Sequence, residues 1–424
     1  MKPKVLLDIS LLGHARPVWR GMERVASQFF HGLRNEKACE LTFAATSHLV
    51  GAYDFLVAEG ISPEEKLKFR AGQLRSSRMG FKLGSRVHRS IENRSLPARA
   101  YRWLLAETAR ACIAGESVLT SDMLDADIFH SLHQPFPPAV RQANHLRKFM
   151  TVYDFNPLKY PEFFGGSDSQ YMDNLIACLT PDNFAFCISE TVRDDILKFS
   201  TIPPERIFLT PLAADENIFY PETNAPILAA IRSQYHIPEE NYFLSLSAHA
   251  PHKNFPHLIH CFSTLVETGE LNDTNLVLVG PNPNRNPEVR ETLAKYPKAA
   301  ARVIIAGRVP DEHLAAIYSG ASAFLFPSLF EGFGIPPLEA MQCGIPVIAS
   351  NTTSMPEVIG DAGILLPPTD ADGWRQAMLR LARQPALRAA FSEKSRQRAK
   401  LFSWHRFIQQ TLDGYRASLQ MPRS

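Results

Sequence analysis

Glu331 and Glu339 stand at the two ends of the stretch Glu331-Gly-Phe-Gly334-Ile-Pro-Pro-Leu-Glu339. The apolar residues that start at Phe324 have the character of a buried strand. The chain then breaks into a loop with two glycines. Pro336 and Pro337 suit the first positions of a helix, where a missing N–H costs nothing. Leu338 to Cys343 continues that helix, Gly344 can end it, and Ile345 to Ala349 reads as the next strand. Unpaired N–H groups of a glycine loop and of a first helical turn attract bound phosphate. An acid near a helix start also has a plainer use, a favourable interaction with the helix dipole, and Glu339 alone could serve that. Glu331, beside two glycines, has no comparable use in a folded core. Together the two acids read as hydroxyl acceptors and charge stabilisers around a sugar with phosphate nearby.

Two cations occupy similar places. Lys253 follows the strand Tyr242–Leu246 and stands just before a helix at 256–268, where a phosphate could use both the amine and the helix start. A lone lysine there is a solvated surface residue more often than not, and the glycine loop in the same sheet is what favours the phosphate reading. Arg308 ends the strand Arg302–Ala306. In the first half of the chain, Asp127-Ile-Phe-His130-Ser-Leu-His133 reads as a strand, and Lys148-Phe-Met-Thr-Val-Tyr153-Asp154 as another. Ligands of an open parallel sheet lie beyond the strand C-termini, so His133 and Asp154 are better placed for chemistry than His130. Asp154 could also simply cap a turn.

The elements that must position these groups form two series. In the first, Val5–Ile9 is a strand, Gly13 to Gly21 a loop and Met22–Leu33 a helix. Strands follow at 41–46, 127–133, 148–154, Phe184–Ser189 and Ile207–Pro211, with Ser189 as the N-cap of a helix at 191–199. That is the opening of a doubly wound α/β domain, although the first loop lacks the GxGxxG spacing of a dinucleotide site. Residues 212–226 lose periodicity. A second α/β series then runs through strands at Tyr242, Asn275, Arg302, Phe324 and Ile345. Val358 to Pro368 reads as strand and turn, followed by helices at 371–383 and 386–399. A last helix opens at Phe402-Ser403-Trp404. The expected division is 1–218, 219–402, and a helix at 403–424 crossing back toward the first domain.

Composition sets the outer limits. A chain of 424 residues exceeds what one hydrophobic core usually serves. A net charge of only +2 gives no global signal for nucleic acid. The six cysteines are dispersed without a CxxC pair, as buried thiols are, and not as a disulfide framework or zinc site. The N-terminal apolar run is too short for a signal peptide, and no stretch approaches the ~18 apolar residues of a membrane span. Between Lys66 and Arg102 there are eleven Lys or Arg and one acid, Glu92. Aromatic and aliphatic residues interleave them. That stretch is a solvated charged face or an interfacial surface for anionic lipid. The strings Asp125-Ala-Asp127 and Asp370-Ala-Asp372 read as structural.

Taken together, these residues resemble the retaining nucleotide-sugar glycosyltransferases of family 4, in particular bacterial polysaccharide and mannosyltransferase-like members. The resemblance spans nearly the whole chain and is strongest from about 243 to 365. Glu331 to Glu339, followed by Ala-Met-Gln-Cys-Gly-Ile-Pro-Val-Ile-Ala-Ser, is similar to the family's E-x7-E motif. His252-Lys253-Asn254 resembles its donor segment, Tyr153-Asp154 with Pro157 to Glu162 its acceptor-side loop, and Gly21-Met-Glu-Arg24 its first loop. The resemblance implies a GT-B fold: α/β, two Rossmann-like parallel-sheet domains facing across a cleft. It implies Glu331, Lys253 and Asp154 as catalytic residues. Donor binding then falls to Gly21, Arg308, Ser328, Gly332, Phe333, Gly334, Ile335 and Glu339, and acceptor binding to Arg24, His133 and Tyr153. The implied reaction moves a hexose, best matched by mannose from GDP-mannose, onto a glycan or lipid-linked acceptor. Alternatives are a UDP-sugar donor, a phosphorylase of the same fold or a silent nucleotide-sugar-binding module. No cofactor or metal is expected beyond the donor substrate. The implied location is cytoplasmic, with peripheral attachment to an anionic membrane surface through 66–105. Two departures stand out: Ala248 occupies the place of a frequent Arg, and Tyr153-Asp154 replaces a frequent His-Asp.

Overall fold

The computed structural model describes residues 2–13, 21–69, 72–79, 119–239, 241–246, 250–280 and 287–422. Most of the basic stretch 66–105, together with Cys112 and Ala248, lies outside them. Among the described residues no helix is long and apolar enough to cross a membrane. The five described cysteines are all buried and unbridged.

Two parallel sheets organise the chain. The first contains β1 (Lys4–Asp8), β2 (Glu40–Ala44), β3 (Leu67–Lys68), β4 (Ile128–Leu132), β5 (Arg147–Val152), β6 (Phe184–Cys187) and β7 (Ile207–Leu209), in spatial order 3-2-1-4-5-6-7. The second contains β8 (Asn241–Leu246), β9 (Thr274–Val279), β10 (Val303–Gly307), β11 (Ala323–Phe326), β12 (Val347–Ser350) and β13 (Gly363–Leu366), in order 10-9-8-11-12-13. Every strand pair among the described residues is parallel. Parallel strands covered by helices on both faces run apolar along their length. Phe324-Leu-Phe326 and Val347-Ile-Ala349 do so and are buried throughout.

Both orders reverse direction after the first strand, between β1 and β4 and between β8 and β11. A doubly wound sheet opens its ligand crevice at that switch point, beyond the strand C-termini. Lys253 follows β8 and Glu331 follows β11, so the two flank the second sheet's crevice. Asp154 and His133 lie beyond β5 and β4 of the first sheet.

The helix Trp404–Gln420 follows the second sheet in sequence but packs on the first. The buried His130 ring in β4 joins the Tyr415 hydroxyl at 2.5 Å and the Thr151 hydroxyl at 2.8 Å. Phe149 and Phe186 meet the Tyr415 ring edge-on. Burial without a charged partner drives the His130 pKa down to about 3, so the ring stays neutral and acts as an anchor for this helix. One reading needs correction. Residues 355–359, which include Val358, form the helix Met355–Ile359, and strand begins only at Gly363. A short apolar run does not by itself distinguish strand from buried helix.

Candidate active site

A cleft of about 860 Å³ separates the two sheets. Gly21, Arg24, Tyr153 and Asp154 line it from the first domain, and Lys253, Arg308, Gly332 to Ile335, Glu331 and Glu339 from the second.

On the second domain's side, Gly334 has φ +107° and opens the helix Ile335–Gln342. That backbone conformation is nearly closed to residues with a Cβ, and a Cβ there would also lie 2.2 Å from Met355 Cε. The helix has no side-chain cap, and Pro336 and Pro337 have no N–H to offer. Among the described residues no acceptor is seen for the amides of Phe333, Gly334 or Ile335. Those three residues line the cleft at the positive end of a helix dipole, a ready anion site.

Lys253 Nζ lies 2.5 Å from Glu331 Oε1, with the side chains 20% and 15% exposed, and 5.1 Å from the centre of the Phe326 ring. The neighbouring Asn254 takes φ +55° and donates to the Pro368 carbonyl at 2.8 Å. Asn tolerates the left-handed region, so it serves the turn that presents Lys253. Arg308 is exposed, lines the cleft and has no hydrogen-bond or ion-pair partner among the described residues.

Glu339 is 6% exposed. Tyr318 Oη donates to its Oε2 at 3.0 Å. Arg24, reaching across from the first domain, contacts its Oε1 at 3.4 Å and Asp311 at 2.7 Å. Burial pushes the Glu339 carboxyl up to about 7, against the opposing pull of Arg24 and Tyr318. Between its ordinary value near 4.5 and about 7, the folded protein keeps a proton that the unfolded chain has released. Stability from this group therefore falls as pH rises through that window, by about 3 kcal/mol in all. Glu339→Gln should remove that component, flattening the loss of stability between pH 5 and pH 8 by about that amount. Urea unfolding at the two pH values checks it, and equal slopes in both proteins would refute the burial account.

On the first domain's side, Asp154 Oδ1 accepts from the Asn156 amide at 3.0 Å. Burial raises its carboxyl to about 6, with the negative charge of Glu331 across the cleft adding to the effect. Tyr153 is buried, and its hydroxyl has no partner among the described residues. His133 and Ser328 sit elsewhere. His133 takes φ +56° and accepts from the Tyr153 amide at 3.2 Å. Burial drives its pKa down to about 4. It shapes the turn that carries Tyr153 and does not line the cleft. Ser328 is buried, and its hydroxyl is directed to the carbonyls of His252 and Phe330, each at 3.2 Å. The two Asp-x-Asp strings have structural partners: Asp125 and Asp127 hold Lys4, and Asp370 caps the helix Ala371–Arg383.

Residues 229–398 match the family described as glycosyl transferases group 1. The chain is 30% identical over 271 residues to O-antigen chain mannosyltransferase B of Escherichia coli, covering 64% of this chain and 70% of that one. This chain belongs to the group 1 glycosyl transferases. It is an enzyme of the GT-B class, built to take sugar from a nucleotide sugar. Over 270 residues the chain is 27% identical to serotype-specific mannosyltransferase WbdA of E. coli, of whose length the match spans 33%. A solved glycosyltransferase from Rickettsia africae superposes over 99% of this chain and 100% of its own with a TM-score of 0.67 at 16% identity, a likeness of fold.

Some participants in this glycosyltransferase site gave no signal in the sequence. Tyr318, Asp311 and Trp404 all line the cleft. Phe330 stacks on Tyr160 at 3.9 Å and on His252 at 4.8 Å, joining the two domains beside Lys253.

Proposed function

We propose that this enzyme transfers mannose from GDP-mannose, with retention and without a metal, to a glycan or lipid-linked oligosaccharide in surface polysaccharide synthesis. The observation that carries the reading is the convergence of Lys253, Glu331, Glu339 and the free amides of Phe333 to Ile335 on one wall of the cleft, with Asp154 on the other. The likeness to two E. coli mannosyltransferases supports mannose. In this reading Lys253 and Arg308 take the charge of the leaving diphosphate, and the loop amides complete its cradle. Cations and oriented N–H groups placed where negative charge develops lower the barrier more than they stabilise the ground state. Glu339 accepts from the ribose hydroxyls and Glu331 from those of the sugar. Gly21 and Arg24 border the donor from the first domain. Asp154 and Tyr153 face the acceptor. The reaction runs at the cytoplasmic membrane surface, with the basic stretch 66–105 bringing the first domain to the lipid.

Calorimetric titration with GDP, UDP and ADP, with and without EDTA, tests the donor. GDP should bind about tenfold or more tighter than the others, a gap of roughly 1.4 kcal/mol, indifferent to EDTA. Preference for UDP would reassign the donor. Binding to none of the three by the folded protein would end the transferase reading.

A further inference from the structure

We propose that Glu357 is a positioning residue that couples closure of the cleft to the shape of the donor loop, an inference that rests on the transferase reading above. The segment from Thr353 to Glu357, a turn that runs into the helix Met355–Ile359, touches both halves of the site. Thr353 Oγ1 accepts from the Glu331 amide at 3.0 Å. Ser354 Oγ donates toward the Phe333 carbonyl at 2.7 Å and the Glu331 carbonyl at 3.2 Å. Met355 fills the space beside Gly334. Three consecutive residues thus fix the backbone of the donor loop from behind.

Glu357, two residues on, reaches the other domain. Its carboxylate accepts from the amides of Glu190 at 2.8 Å and Thr191 at 3.2 Å, the first two of the helix Glu190–Phe199. That helix already has its own cap, Ser189, whose Oγ accepts from the Val192 amide at 3.1 Å. Ser189 in turn donates to the Gly332 carbonyl at 2.7 Å. The first turn of one helix in the acceptor domain is therefore joined to the donor loop directly through Ser189 and indirectly through Glu357. The Arg398 guanidinium grips the carbonyls of Glu357 and Val358 and keeps the turn rigid.

Two features argue for a role beyond packing. A carboxylate at a helix N-terminus is favourable, but one supplied by the other domain acts only when the cleft is closed. Its contribution falls on the equilibrium between open and closed cleft and leaves each domain's own folding largely untouched. Thr353 also holds φ +50°, an outlying conformation for a β-branched residue. Such strain persists only where surrounding contacts over-determine it, and it clusters at ligand clamps. Here it lies where one turn must meet the donor loop and present Glu357 to the opposite wall.

The test compares wild type, Glu357→Ala and Glu357→Gln as full chains by three measurements: steady-state transfer, GDP titration and X-ray scattering. Glu357→Ala should lower turnover by about tenfold and enlarge the radius of gyration, while GDP affinity stays within about twofold. Glu357→Gln keeps an acceptor oxygen for the same amides and should recover most of the turnover. An Ala variant with wild-type turnover and radius overturns the proposal. So does one that loses GDP affinity and turnover together at unchanged radius, which would make Glu357 a mere support of the donor loop. If wild type binds no nucleotide and transfers no sugar, but the Ala variant still expands, the transferase reading fails and the interdomain contact stands.

Discussion

Lys253→Ala should lose about a hundredfold to a thousandfold in kcat/KM, equivalent to roughly 3–4 kcal/mol of transition-state stabilisation. Two effects act in the same direction. The amine that would face the leaving diphosphate is gone. Glu331, now 2.5 Å from that amine and only 15% exposed on its side chain, is left as an unpaired, half-buried acid beside the incoming phosphate. Breaking one partner of such a pair costs more than removing both. The double variant Lys253→Ala, Glu331→Gln should therefore bind GDP better than Lys253→Ala alone, while remaining poor in transfer. Calorimetry on the four members of this cycle checks the coupling. If the double variant binds no better than the single one, the two residues do not share the electrostatic burden. If Lys253→Ala binds GDP as wild type does, the amine is not the diphosphate's partner.

The fold was largely legible because parallel strands buried on both faces announce themselves as apolar runs, and glycine or proline punctuates them. The donor loop was legible for a related reason: acids set among glycines and prolines, directly after such a run, have few purely structural uses. The contacts that unite the site were not legible. Glu357 and Glu190 are 167 positions apart, and neither a carboxylate in Ser-Met-Pro-Glu357 nor an acid after an N-cap serine signals a partner across a cleft. The stacked pair Tyr160 and Phe330 is similar, since each ring reads locally as loop decoration. His133 misled for a physical reason. Its position beyond β4 suits a ligand contact, but its left-handed backbone lets Nδ1 accept from the Tyr153 amide. The helix Ala225–Gln234 escaped because the aperiodic stretch before it hides its start, where Asn224 caps the Ile227 amide.

Gly332→Ala should abolish most transfer while leaving the protein folded. The Gly332 Cα lies against the first domain's Tyr153-Asp154 segment, and an added methyl carbon would sit 2.2 Å from the Tyr153 carbonyl oxygen and 3.2 Å from Asp154 Cβ. The obstacle at Tyr153 is backbone, so no rotamer change relieves it. The cleft must open there by about 1 Å for the methyl to reach ordinary van der Waals separation. Misplacement of reacting groups on that scale costs about a hundredfold in rate. Each domain keeps its own core, because the clash is between domains, and the melting temperature should move by no more than a few degrees. If the donor rests mainly on the second domain's wall, as proposed, GDP binding should stay within about threefold, separating this variant from Lys253→Ala. Transfer at more than about a third of the wild-type rate would mean that the reactive geometry is looser than the Gly332–Tyr153 contact requires.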